Sequence, residues 1–170
     1  MDWAEQGAFA MLGTATLEGT DGPGRPRGVG FYADPVAWLV ADAVGTALEA
    51  AGLPGPTAGT EVGMVAVSEH ATGHTMREVA DAVRERGRVS PLRFAGAAPG
   101  SVAGLACIVH GLRGPSLLLS MAPDAARPAV AVLAGAWLGA SCTRLVVAEH
   151  RRHPSGVHRV NTVVLTSRER

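Results

Sequence analysis

The sequence predicts an α/β fold: one mostly parallel, five-stranded sheet with helices on both faces. Three observations predict it. Short β-branched or apolar runs alternate along the chain with stretches whose apolar residues recur at helical spacing. The run Val62 to Val67 (VGMVAV) is apolar without alternation, as a strand covered on both faces of a parallel sheet must be. Finally, 47% of the 170 residues are apolar, enough for a large core, yet only 4% are aromatic, so Ala, Val, Leu and Gly do the packing. No repeat or linker divides the chain, and residues 1–170 are read as a single domain.

The elements follow in order. Residues 9–17 (FAMLGTATL) have the composition of a strand. Residues 21–30 are dense in Gly and Pro and read as a mobile loop. Asp34-Pro35 reads as an N-cap with a first-turn proline, after which Val36, Leu39, Val40, Ala43, Val44, Ala47 and Leu48 keep helical spacing until Gly52. Beyond the strand at 62–67, a helix is expected from about 75 to 86, with Met76, Val79, Ala80 and Val83 as its apolar stripe. A helix at 99–112, a strand at 117–120, a helix at 125–138 and strands at 145–148 and 160–166 complete the pattern. Strands alternating with helices indicate right-handed βαβ units and three layers. The 125–138 helix is apolar almost all round after its first turn, and such a helix needs cover on every side. Small residues Ala131, Ala134, Gly135 and Ala136 permit close approach of another helix, so a second protein layer is expected, most simply from a second copy.

Charge narrows the function. The 15 Lys+Arg cancel the 15 Asp+Glu, so the basic field that nucleic-acid or anionic-membrane binding requires is absent. Every cation is Arg, which excludes a lysine Schiff base or a phosphate-loop lysine from this chain. The start, MDWAE, has neither a basic n-region nor an apolar h-region, so no secretory signal is expected. The longest apolar run, near 129–138, falls short of the about 20 residues a membrane span takes. The expectation is a cytoplasmic protein. Cys107 and Cys142, both in apolar surroundings, are expected to be buried thiols and not a disulfide framework.

The stretch Val89 to Gly104 (VSPLRFAGAAPGSVAG), running into Gly111 to Ser116 (GLRGPS), resembles the β-ketoacyl synthases of fatty-acid and polyketide assembly. Ser90-Pro91, Ala103-Gly104 and the GLRGPS block keep the family's order and spacing. Val62 to Gly73 (VGMVAVSEHATG) resembles the family's strand and glycine-rich turn, and Ala47 to Leu53 (ALEAAGL) the end of its first helix. The resemblance implies half of a thiolase-type fold, βαβαβαββ. In the family, the strand after Gly-Pro-Ser leads into a strained turn carrying the nucleophilic cysteine at a helix N-terminus, where the helix dipole favours thiolate. The matching position here is Pro123, which has no nucleophile. Cys107 lies in the preceding helix, and Cys142 lies beyond the far end of the helix that would activate a thiol. The family's two active-site histidines belong to a C-terminal half with no counterpart in these 170 residues, so Claisen condensation by this chain alone is not expected. The intact fold sandwiches central helices between two related halves, and residues 125–138 take the central-helix place. The resemblance therefore implies a face-to-face homodimer or a heterodimer with a complete ketosynthase. Synthases also dimerise edge to edge through the strand matching Leu117 to Ser120, a second candidate interface.

Several residues are candidates for chemistry. Glu69-His70, with His74 beyond, match a turn that borders the acyl pocket in synthases, and a His-Glu pair can move protons near neutral pH. The plainer reading is a polar loop and helix cap. Their order is not the His-Glu-x-x-His of zinc hydrolases, so no zinc site is expected. His150, His153 and His158 flank a Pro-Gly turn, with Glu149 as the one nearby carboxylate, and read as a solvated turn and not a metal site. Ser101 lacks the glycine two positions earlier that a nucleophile elbow requires, and His110 is expected to be structural. Ser120, Met121 and Asp124 flank Pro123; Asp124 is either a helix cap or an acid-base group in a remodelled pocket. With His70, Glu69 and Asp124 as the catalytic candidates, Ala71, Arg93, Ala98, Ser120 and Met121 are expected to contact substrate, and small Ala97 and Ala98 to leave the pocket wide. No cofactor is expected. Three functions compete. The first is a non-condensing, ketosynthase-like protein that binds an acyl or polyene chain, free or on an acyl carrier protein, and isomerises, cyclises or couples it. The second is a non-catalytic subunit comparable to a chain-length factor. The third is an inactive fragment, against which the unbroken helix and strand pattern argues.

Overall fold

The computed structural model describes residues 9–20, 33–53 and 61–168; the loop expected at 21–30 lies outside them. In chain order the elements are β1 (Phe9–Gly19), α1 (Pro35–Ala50), β2 (Val62–Ser68), α2 (Gly73–Arg86), α3 (Pro91–Gly96), α4 (Ser101–His110), β3 (Ser116–Leu119), α5 (Pro123–Trp137), β4 (Arg144–Arg152) and β5 (His158–Ser167). The short helix α3 is an element that the sequence pattern above does not predict.

The sheet order is β1-β5-β4-β2-β3. β2 runs parallel to β4 and to β3, whereas β5 runs antiparallel to both β4 and β1. The sheet is therefore mixed, which corrects the expectation of a mostly parallel one. The cause is the connection between β4 and β5. Residues 153–157 are too few for a crossover, which needs a dozen or more residues, so β5 must fold back as a hairpin, and β1 then pairs along its outer edge.

Two cores flank the sheet, as the three-layer reading requires. On one face α1 and α4 pack against Met64, Ala66, Val146, Ala148, Val160 and Val164. On the other, Ala126, Val130 and Ala134 of α5 pack against Val65, Val67, Leu145, Val147, Val163 and Leu165. Strand alternation divides these residues between the faces. Burial on both sides explains the unbroken apolar run of β2, all of whose residues are buried.

The Asp34-Pro35 signal forms as read. Asp34 is fully buried; its Oδ1 accepts from the Val36 N–H at 2.9 Å and its Oδ2 from the Thr75 N–H at 2.9 Å, tying the start of α1 to the first turn of α2. His110 lies 2.7 Å through Nε2 from the Ala41 carbonyl and is structural, as expected. Gly45 makes room for its ring: a Cβ there would lie 2.8 Å from the His110 Cε1. The stripe expected to seat α2 does not pack, since Thr75 is its buried residue while Met76 and Val83 are each about half exposed. α5 buries Pro123, Ala126, Val130 and Ala134, whereas Val132 on its outer side is 72% exposed. Among the described residues, no helix is long and apolar enough to cross a membrane.

Candidate functional site

Parallel strands converge their carboxyl ends on one rim of the sheet, where α/β proteins place their sites. Here the rim is formed by Ser68 at the end of β2, Ser120 just beyond β3, and Glu149 and His150 near the end of β4. Parallel pairing sets Ser68 beside His150.

The turn after β2 carries Glu69 and His70, both exposed, and then Ala71, buried with φ 39°. That left-handed backbone is uncommon for a residue with a Cβ, and it persists because the surroundings pin it. The Ala71 N–H donates to Ser68 Oγ at 2.7 Å, and the Thr72 hydroxyl donates to the Ala97 carbonyl at 2.6 Å. Ser68 Oγ also lies 2.7 Å from His150 Nδ1, and His150 Nε2 lies 2.7 Å from His158 Nδ1. All three side chains are buried, and the two imidazoles lie within 13° of parallel. This corrects the reading of His150 and His158 as a solvated turn: the hairpin draws both into the sheet and leaves His153 at its exposed tip.

The positions around Pro123 are fixed differently. Pro123 is the buried first residue of α5. Asp124, in the first helical turn, accepts from the Arg151 guanidinium at 2.9 Å and pairs with Arg127 at 2.9 Å. The Arg151 hydrogen bond, with both guanidinium charges, holds the Asp124 carboxyl below the usual carboxylate range. Asp124 thus ties the start of α5 to the end of β4 as a carboxylate. Ser120 and Met121 remain exposed beside it. Arg93 and Ala98 are exposed, and Arg93 donates to Glu78 of α2 at 2.9 Å, with His74 of the same helix 3.7 Å from the other Glu78 oxygen. Both cysteines are free, and burial pushes both thiols up, away from thiolate.

Sequence reasoning weighs Glu149 only as the carboxylate near the histidines of the Pro-Gly turn. Its side chain is 4% exposed, it points to the α5 face between Val147 and Arg151, and its Oε1 has no hydrogen-bond partner among the described residues. Burial pushes its carboxyl above the usual range. It lines an open groove of about 220 Å³ with Met11, Thr14, Thr16, Val147, Asn161 and Val163. A lone acid directly after the apolar run Leu145 to Ala148 is the available signal.

No protein-family model matches the chain, and no curated protein matches it. Solved structures do. A ketosynthase in complex with its chain length factor from Xenorhabdus doucetiae aligns with TM-score 0.66 and 11% identity, over 94% of this chain and 79% of that one. The ishigamide ketosynthase/chain length factor aligns with TM-score 0.68 and 12% identity over 94% of this chain and 62% of that one. A β-ketoacyl synthase from Burkholderia phymatum gives TM-score 0.70 and 12% identity over 95% and 59%. The fold is that of the ketosynthases.

The likeness is one of architecture, at identities of 11 to 12%. The chain spans less than two thirds of the ishigamide and Burkholderia proteins and a larger share of the Xenorhabdus one. Within the ketosynthase fold, β3 stands at the edge of the sheet, paired on one side with β2, and its Ser116 and Leu117 are exposed.

Proposed function

We propose that this chain is a non-condensing, ketosynthase-like subunit of polyketide biosynthesis that pairs with a complete ketosynthase, in the role of a chain-length factor. The observation that carries the reading is Pro123 at the first position of α5. This is the place to which the resemblance assigns the nucleophilic cysteine, and the helix dipole there has no thiol to ionise. Neither cysteine of the chain compensates, because burial favours the thiol form in both. Two of the structures similar to this one come from ketosynthase and chain-length-factor pairs, and this chain spans 79% of the Xenorhabdus one. Another is a ketosynthase with its acyl-carrier protein. By the same reading the acyl chain reaches the pair on a carrier protein, in the cytoplasm, and residues 1–170 act as one domain.

Two surfaces suit a partner. The edge of β3 presents backbone groups that another strand can pair. The outer side of α5, with exposed Ala125, Val132, Gly135 and Ala136, suits a closely approaching helix.

A second reading has the chain itself bind an acyl or polyene chain and isomerise, cyclise or couple it. Its support is the exposure of Glu69 and His70 on a pinned turn at the carboxyl end of β2, beside Ala71, where a bound chain could meet them. Orientation alone lowers barriers substantially, so no covalent nucleophile is needed.

One experiment separates the two. The tagged full chain is purified from its host, co-purifying proteins are identified by mass, and the preparation is incubated with carrier-bound acyl and polyene chains. The proposal expects a cysteine-bearing ketosynthase to accompany the chain and to perform the extension, with no acyl-enzyme on the chain itself. A rearranged product formed by the isolated chain and lost in His70→Ala would overturn it in favour of the second reading.

A further inference from the structure

The groove beside Glu149 lies on the α5 face of the sheet, over β1, β5 and β4, apart from the turn that holds Glu69 and His70. Its walls are half apolar, from Met11, Val147 and Val163, and half neutral polar, from Thr14 and Asn161. Glu149 is the one ionisable side chain among the described residues that line it. The Arg151 guanidinium is hydrogen-bonded to Asp124 at 2.9 Å and makes no hydrogen bond to Glu149 Oε1. Folded proteins rarely leave a buried polar atom without a partner, and an orphan in a groove points to something that arrives there. The charge of the site is wrong for a phosphate or a carboxylate.

We propose that this groove binds an uncharged acyl chain bearing a hydroxyl group, with Glu149 Oε1 as the hydroxyl's partner and Met11, Val147 and Val163 as the bed for the methylenes. A hydroxyl fits the acid in either protonation state, donating to a carboxylate and accepting from a carboxylic acid. The volume, about 220 Å³, is below the roughly 300–1,000 Å³ of sites for drug-sized molecules, so the groove takes a short chain or one segment of a longer one. This deepens the preceding reading and rests on it for the acyl nature of the ligand. The site itself rests on the groove and the orphaned acid.

The test uses the purified full chain and two probes, the N-acetylcysteamine thioesters of 3-hydroxyoctanoate and of octanoate, with binding measured by isothermal titration. The hydroxylated thioester is expected to bind about tenfold more tightly, the effect of one hydrogen bond made to a buried group. Glu149→Leu should abolish the preference and leave octanoyl binding intact, Glu149→Gln should retain most of it, and Val163→Trp should block both probes. Circular dichroism and the unfolding midpoint report folding of each variant. Equal affinities for the two probes, a preference that survives Glu149→Leu, or no binding of either overturns the proposal. If no probe binds yet a ketosynthase co-purifies, the groove assignment fails and the subunit reading stands. If Glu149-dependent binding is found without a ketosynthase partner, the reverse holds.

Discussion

Adjacent positions on α5 give substitutions of opposite sign. A Cβ built at Gly135 meets no heavy atom within 4 Å, while Ala134 is fully buried against the sheet. In the isolated chain, Gly135→Leu meets no steric opposition and removes a glycine from a helix interior, which stabilises by about 1 kcal/mol. For a chain of this size that raises the unfolding midpoint by about 2–4 °C. Ala134→Leu forces three heavy atoms into a packed layer and costs about 1–3 kcal/mol. The same Gly135→Leu change roughens the small-residue side of α5, so any assembly through that side should fall to the mass of its separate components. Thermal unfolding by circular dichroism and light scattering after size exclusion measure both quantities. A lower midpoint for Gly135→Leu in dilute, monomeric protein would refute the reasoning, since it would mean that the outer side of α5 is already packed within the chain. An unchanged assembly mass would refute the interface.

Three further outcomes follow from the packing and the charges. Gly114→Ala places a Cβ 2.6 Å from the Gly63 nitrogen and 2.7 Å from the Val62 carbonyl carbon, so backbone must shift, and urea unfolding should show a loss of about 3 kcal/mol or more. Asp34→Ala removes both the cap on α1 and the acceptor for the buried Thr75 N–H, a loss of about 2–4 kcal/mol by the same measurement. Glu149 holds its proton to higher pH in the folded chain than in the unfolded one, so the folded state binds more protons and stability falls as pH rises above the ordinary carboxylate value. Glu149→Gln should therefore match the wild type near pH 4 and exceed it near pH 7 in unfolding midpoint, and a wild-type advantage at pH 7 would contradict the burial argument.

Much of the fold was legible because local signals and tertiary packing agree. The unbroken apolar run of β2 is buried on both faces, Asp34-Pro35 caps a helix, and α5 covers the face opposite α1 and α4. The mixed sheet is not legible in the sequence because strand direction depends on connection length, and the brief Pro154-Gly156 stretch that forces β5 back reads there only as a solvated turn. The stripe of α2 has the right period, but periodicity shows which side of a helix is apolar without showing that anything covers it. The Ser68–His150–His158 arrangement needs the β2–β4 register and the hairpin together, and neither can be read from residues 82 and 8 positions apart. The assignment of Pro123 to the nucleophile position rests on counting from the resemblance, whereas the engagement of Asp124 by Arg151 required the structure.

The central claim is that this chain serves a ketosynthase and does not condense. Native mass spectrometry of the tagged full chain, purified from its host together with its partners, tests it most directly. The account predicts a defined complex of this chain with a ketosynthase whose own cysteine becomes acylated while this chain remains unmodified. A chain found alone or only with copies of itself, or one that carries the acyl group, would contradict it.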